Sequence, residues 1–264
     1  MTPIAALPMY NVTPALAGDW RALLTDVLTA VDPAARIVKP DDDLLALWRA
    51  PNLLLSQTCG YPFTHALADA GVQLVATPAF DVEGCDGANY SSAIVVRADA
   101  ACASVEDTRG WRAAYNSDDS HSGMNALRHT VAPYAQSARF FGAVLRTGSH
   151  AGSLQAIAEG RADIAAIDCV TMAYVRAGRP ELAQAVRTLG YTRQVPGLPL
   201  IAAHGVTGST IAALRVALND AVTRDTARAE RLRLRSFVTL GSKDYVAITQ
   251  MEDEARAAGY PKLA

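Results

Sequence analysis

The sequence predicts an α/β chain of two lobes, each a sheet flanked by helices, joined by two strand crossovers. Three observations lead there. Short apolar runs alternate with helical-period segments from Ile4 to Pro78, and a second such alternation runs from about Asp99 to Pro180. Two long extended stretches, Tyr90 to Ala98 and Leu189 to Ala203, would carry the chain out of the first lobe and back again. The expected lobes are residues 1–92 with 200–264, and residues 93–199, facing each other across a cleft.

In the first lobe, Ile4 to Leu7 reads as a strand, followed by an amphipathic helix from Trp20 to Val31. Arg36 to Lys39 is a second strand, and a helix follows from Asp42 to Trp48 with Asp41 as its cap. Trp20 and Trp48 read as core anchors. The continuous apolar run Leu53-Leu54-Leu55-Ser56-Gln57 is a buried strand. Pro62 suits the first turn of the next helix, which should reach about Ala70 before a strand from Val72 to Pro78. This alternation argues for a parallel sheet.

In the second lobe, Trp111 to Tyr115 and Phe141 to Thr147 read as strands, and Ser153 to Glu159 as a helix. Ile164-Ala165-Ala166-Ile167-Asp168 is a buried strand with a carboxylate at its end, followed by a helix from about Val170 to Arg176. Helices at about Ser209–Val222 and Ser242–Ala258 belong to the returning part of the first lobe. Ligands of α/β sheets collect at the carboxyl ends of strands, where the turns 57–61, 116–123, 147–150 and 168–171 all lie.

Composition narrows the function. Of 264 residues, 50% are hydrophobic and 19% charged, and the net charge is −2, which describes a globular chain. Without a basic block or basic–aromatic interleaving, nucleic acid is not an expected partner. No apolar run approaches the ~18 residues of a membrane span. The first basic residue is Arg21, so the opening segment does not read as a secretory leader; a cytosolic protein and an exported one without its leader both fit. The four cysteines, Cys59, Cys85, Cys102 and Cys169, lack metal-ligand spacing, and no metal or cofactor is expected. Buried thiols are the default reading; for an exported chain a Cys59–Cys85 bridge stays open.

The chemistry concentrates in Asn116-Ser117-Asp118-Asp119-Ser120-His121-Ser122-Gly123-Met124-Asn125. A helix start leaves backbone N–H groups unpaired at the positive end of the macrodipole. Ser120 and Ser122 add hydroxyls, and Gly123 permits close approach, so the turn can seat a small oxyanion. An ordinary serine cap is the competing reading. Asp118 and Asp119 are expected to cap the helix, facing away from an anion. Asp168, closing a buried strand, needs a partner, either the following helix N-terminus or a ligand. His65, His129 and His204 have no motif around them and read as surface or capping residues.

Five segments in one order carry a family resemblance: Leu53 through Pro62, Asp119 through Asn125, Thr147-Gly148-Ser149-His150, Ala165-Ala166-Ile167-Asp168 and Pro196-Gly197-Leu198-Pro199. Together they resemble the phosphate/phosphite/phosphonate-type substrate-binding proteins of ABC transporters, which have the type II periplasmic-binding-protein fold. The likeness runs from the first strand to about residue 205. It implies that Ser120 and Ser122, with the backbone N–H groups of His121, Gly123 and Met124, hold a phosphoryl-like oxyanion, and that His150 donates to another of its oxygens. It implies that Tyr61 and Tyr90 pack over the ligand from the two sides of the cleft, and that Asp168 accepts from a protonated oxygen or an amino group. It further implies hinge closure, no chemistry, a small oxyanion ligand, a permease partner, a monomer and an extracytoplasmic place of work. His121 departs from the family's pattern, which has a small hydroxyl residue there; protonated, it would add charge or face solvent. The alternatives are a cytosolic enzyme of the same fold using a cleft His as base, and a ligand sensor. Ser122, His150 and Asp168 also have the residue types of a hydrolase triad, without G-x-S-x-G.

Overall fold

The computed structural model describes residues 1–39 and 43–264. Asp41, expected as a helix cap, and Asp42, expected as the helix start, lie outside them. The chain divides into two compact units: residues 1–81, 86–89 and 196–245, and residues 82–85, 90–195 and 246–264.

The first unit begins with β1 (Ile4–Ala6), α1 (Pro14–Val31), β2 (Arg36–Ile37), α2 (Leu44–Trp48), β3 (Leu53–Gln57), α3 (Gly60–Thr64) and β4 (Gln73–Phe80). Helix α1 starts earlier than its apolar period suggests, because Thr13 caps it by accepting from the Leu16 N–H and Pro14 fits its first position. Its buried face, Trp20, Leu23, Leu24, Val27 and Leu28, keeps helical spacing. Asp43 caps α2 by accepting from the Ala46 N–H. Helix α3 is a single short element and does not reach Ala70; His65 ends it, with its N–H bonded to the carbonyls of Tyr61 and Pro62.

The chain leaves through β5 (Asn89–Tyr90) and builds the second unit with β6 (Ser92–Arg97), β7 (Arg112–Tyr115), a π-helical turn (His121–Asn125) continuous with α4 (Ala126–Val131), β8 (Ala143–Arg146), α5 (His150–Ala158), β9 (Ile164–Asp168), α6 (Cys169–Gly178), α7 (Pro180–Gln184) and β10 (Val186–Tyr191). It returns through β11 (Val195–Pro196) to add β12 (Leu200–Ala202), α8 (Gly208–Arg224), α9 (Thr226–Arg231) and β13 (Leu234–Val238) to the first unit. Finally α10 (Val246–Ala257) joins the second.

The first sheet has the order β13-β4-β12-β3-β1-β2. Strand β1 pairs in parallel with β2 and β3, but β12 lies antiparallel between β3 and β4, and β13 antiparallel on β4. The sheet is therefore mixed, where the alternation predicted a parallel one. The returning strand takes the interior slot, and β3 is buried along its whole length. The second sheet has the order β10-β6-β9-β7-β8, with β7 parallel to β8 and β9, and β6 antiparallel to β9. Its middle strand β9 is also buried throughout, which its unbroken apolar run requires.

One expectation fails at the carboxyl end. Residues 246–264 pack in the second unit rather than with residues 200–245. Ala255 and Tyr260 are buried in one cluster with Ile94, Val96, Leu127, Phe140 and Ile164. A helical period shows which residues turn inward but not which core receives them. All four cysteines are free thiols, and the sulfur nearest to that of Cys85 is the one of Cys169, at 3.4 Å. Among the described residues, no helix is long and apolar enough to cross a membrane.

Candidate functional site: the Ser120–Met124 turn

Strand β7 delivers the turn. After Tyr115 the chain leaves the sheet, and Ser120 adopts an extended backbone that starts the next helix. The Ser120 hydroxyl accepts from the Gly123 N–H at 3.0 Å, so Ser120 itself is the cap. Asp118 and Asp119 do not cap: Asp118 accepts from the Tyr115 hydroxyl at 2.9 Å and pairs with Arg146. The first carbonyl bond spans five residues, from the Asn125 N–H to the Ser120 carbonyl at 3.1 Å. That widening makes the opening turn a π-turn, a feature that recurs at functional sites. The Ser122 and Met124 N–H groups have no backbone carbonyl partner outside their own helix among the described residues. Gly123 is different, since the Ser120 hydroxyl occupies its N–H.

A second strand end comes to the same place. Strand β8 pairs with β7, and the ladder continues through the Thr147 N–H to the Tyr115 carbonyl and the Gly148 N–H to the Asn116 carbonyl. Gly148, at φ +84°, then turns the chain into α5. Ser149 caps α5 by accepting from the Gly152 N–H, which leaves His150 as its first residue. The result is a direct bond: Ser122 Oγ and His150 Nε2 are 2.8 Å apart. His150 is only partly covered as a residue, but its Nδ1 is out of reach of solvent. Burial lowers its pKa to about 4, opposed by the Ala166 carbonyl.

His121 is buried outright, neither charged nor facing solvent as its sequence context allowed. Burial lowers its pKa to about 3, and the charges of His129 and Arg128 act in the same direction. Its tautomer follows from its neighbours. The Asn125 side-chain oxygen accepts from Arg128 at 2.6 Å, so its NH2 group is the one that faces the Ile248 carbonyl and His121 Nδ1. His121 Nδ1 therefore accepts, and the ring proton sits on Nε2. Arg128 is held by the Pro261 carbonyl and by Glu252, an ion pair with both side chains buried. This support was missed in the sequence, where Asn125, Arg128 and Glu252 look like ordinary helix residues. The i, i+3 spacing of Asn125 and Arg128 was the one available signal.

The remaining candidates are placed less directly. Tyr90 is buried in the same unit, its ring centroid 6.2 Å from that of His121. Asp168 ends β9 and caps α6, its Oδ1 accepting from the Val170 and Thr171 N–H groups at 2.8 and 3.0 Å. The helix N-terminus is thus one partner of that carboxylate. Ser122 and His150 are joined, but Asp168 commits an oxygen to its own helix, which is not how a triad carboxylate orients its His. Tyr61 belongs to the first unit, on α3, and stacks on His65 with ring centroids 3.9 Å apart. His129 pairs with Glu254 at 2.7 Å. No group of three metal-ligating side chains occurs among the described residues.

Residues 5–245 match the family described as the periplasmic substrate-binding protein of phosphonate ABC transporters. No curated protein matches the chain at a significant level. Among solved structures, it is similar to a binding-protein component of an ABC phosphonate transporter from Pseudomonas aeruginosa, with TM-score 0.81 and 17% identity over 98% of this chain and 88% of the other. PhnD1 from Prochlorococcus marinus in complex with methylphosphonate gives 0.79 and 14%, over 96% and 97%. An alkanesulfonate-binding protein from Xanthomonas axonopodis bound to MOPS gives 0.66 and 19%, over 98% and 93%. The fold is that of the type II periplasmic binding proteins.

Proposed function

The chain belongs to the periplasmic phosphonate substrate-binding family of ABC transporters, and from that premise we propose that its Ser120–Met124 turn, with His150, seats the oxyanion head of a phosphonate or phosphate-like ligand. The family is one of binding proteins rather than enzymes. Its members work outside the cytoplasm with a small ligand and a transporter permease.

The observation that carries the reading is the 2.8 Å bond between Ser122 and His150 at the mouth of a π-turn whose Ser122 and Met124 N–H groups have no carbonyl partner outside their own helix among the described residues. An anion competes with His150 Nε2 for the Ser122 hydroxyl hydrogen, which can turn from one to the other. With the two N–H groups the hydroxyl forms a set of neutral donors, which bind an anion through charge-assisted bonds without a buried cation. His121, buried and neutral, keeps a charge out of the turn. Ser120 and Gly123 shape the turn instead of offering their capping pair. Tyr90 packs beside His121, and Asp168 disfavours the fully ionised ligand by repulsion, selecting one that keeps a proton or carries an amino group. Tyr61 enters through the family resemblance alone. The chain acts as a monomer.

A thermal-shift panel on protein stripped of ligand tests this with phosphate, phosphite, methylphosphonate, 2-aminoethylphosphonate, sulfate and an alkanesulfonate. A ligand at ~100 times its Kd adds about 2.7 kcal/mol of stability. A selective shift with a phosphorus oxyanion supports the reading. A shift with the sulfonate alone moves the ligand class, and no shift with any of them sinks it.

A further inference from the structure

Cys85 and Cys169 are 84 positions apart in the sequence, yet their sulfur atoms lie 3.4 Å from each other, both as free thiols. The approach is built by backbone, not by two loose side chains. Cys169 is the first residue of α6, and its N–H bonds the Ser91 carbonyl at 3.1 Å. The Ser91 hydroxyl donates to the Gly84 carbonyl at 2.9 Å, fixing the residue before Cys85. Gly84, at φ +97°, lies so close that a Cβ on it would be 2.8 Å from the Ser91 Oγ and 3.0 Å from the Cys169 Cβ. The segment Val82–Cys85 is thus laid onto the start of α6. Closing the gap to the ~2.0 Å of a disulfide takes roughly 1.4 Å.

We propose that Cys85 and Cys169 are a disulfide-forming pair, closed by a disulfide oxidant outside the cytoplasm. The location rests on the family's place of work; the bridge itself rests on the geometry. Cys85 is the partly exposed member and Cys169 the buried one, so Cys85 reacts first. Its thiolate attacks one sulfur of a small disulfide such as oxidised glutathione, giving a mixed disulfide and releasing one thiolate. Cys169 then loses its proton and attacks the Cys85 sulfur, breaking the mixed disulfide and releasing the second thiolate. Two electrons pass to the oxidant, and the two cysteine protons end on two molecules of reduced glutathione. The contact with Cys85, burial and the Asp168 charge push the Cys169 thiol up, which makes the second step the slower one. The bridge would anchor the first residue of α6 immediately after Asp168, the residue that caps that helix.

The test incubates the native wild-type chain with oxidised glutathione, removes the glutathione, denatures the chain in the presence of an alkylating agent and counts thiols by mass. The expected result is two alkyl groups on the chain rather than four, an unalkylated mass about 2 Da below that of the fully reduced chain, and a single crosslinked peptide pair containing Cys85 and Cys169. The C59S/C102S double variant should bridge equally, and C85S should form no bridge. Four alkylated cysteines, or a bridge through Cys59 or Cys102, would overturn the proposal. A bridge that forms with glutathione but is absent from protein recovered from an oxidising compartment keeps the pair and counts against the location.

Discussion

Ser122 and His150 meet at 2.8 Å although they leave the ends of different strands, β7 and β8. The register that joins Tyr115 to Arg146 sets where each turn begins, so the contact is a property of the ladder. Replacing Ser122 with Ala should weaken binding of methylphosphonate by about 1–3 kcal/mol, the cost of one hydrogen bond to a charged group. Isothermal titration calorimetry reads it directly, and wild-type affinity would remove Ser122 from the site.

The two buried imidazoles predict an acid-side loss of stability. They stay neutral in the folded chain down to about pH 3 for His121 and 4 for His150, whereas both titrate near 6.5 when unfolded. Above pH 6.5 neither contributes a slope. As the pH falls from 6.5 toward 4 the unfolded chain binds more protons, and the folded state loses up to ~1.4 kcal/mol per pH unit for each His. Urea unfolding at a series of pH values should show this, with a shallower slope in H121Q and in H150Q. Slopes equal to wild type in both variants would contradict the buried neutral state.

Gly123 has no room for a side chain. A Cβ there would lie 1.9 Å from the Asn116 Oδ1, itself a buried atom. Gly123→Ala should cost about 1–3 kcal/mol by overpacking and reduce ligand affinity by moving the turn. Adding Asn116→Ala should recover part of the stability, and a double-mutant cycle measures the coupling.

Glu252 and Arg128 form an ion pair with both side chains buried. Glu252→Ala leaves Arg128 without its carboxylate and should cost about 3–5 kcal/mol, read by chemical denaturation. Because Arg128 orients Asn125, which orients His121, the same variant should also weaken oxyanion binding when compared at equal fraction folded.

Asp168 has two separable roles. Asp168→Ala removes the cap of α6 and should cost about 0.5–2 kcal/mol. Asp168→Asn keeps an oxygen for the cap, so its stability should stay near wild type while its preference among ligand protonation states relaxes. An unchanged pH dependence of binding in D168N would argue against a ligand role.

Much of this arrangement was legible beforehand, and the gaps have physical causes. Strands β3 and β9 announced themselves as unbroken apolar runs because both are interior strands. Strand β13 passed unnoticed: it is a sheet-edge strand with Arg235 exposed, and it follows a charged short helix. The Ser turn was found from residue types, but its π-widening depends on how Ser120 places one carbonyl, which no spacing encodes. The acidic residues ahead of Ser120 were read as caps because propensity does not distinguish neighbours that could each fill the role. His121 could not be assigned an environment without α10, which lies over a hundred residues away in the sequence and contributes the Ile248 carbonyl.

Strand β12 sits between β3 and β4, which precede it by more than a hundred residues. The first unit therefore cannot close its sheet while the ribosome has made only β1–β4; it must wait for residues 200–202. The second unit waits longer, since its core takes residues from Ala255 and Tyr260. Each unit holds a hostage segment from beyond the other, so partial chains lack a complete core and long loops must be closed before either becomes stable. Maturation is then late and joint: neither core is complete until both returning segments have been synthesised.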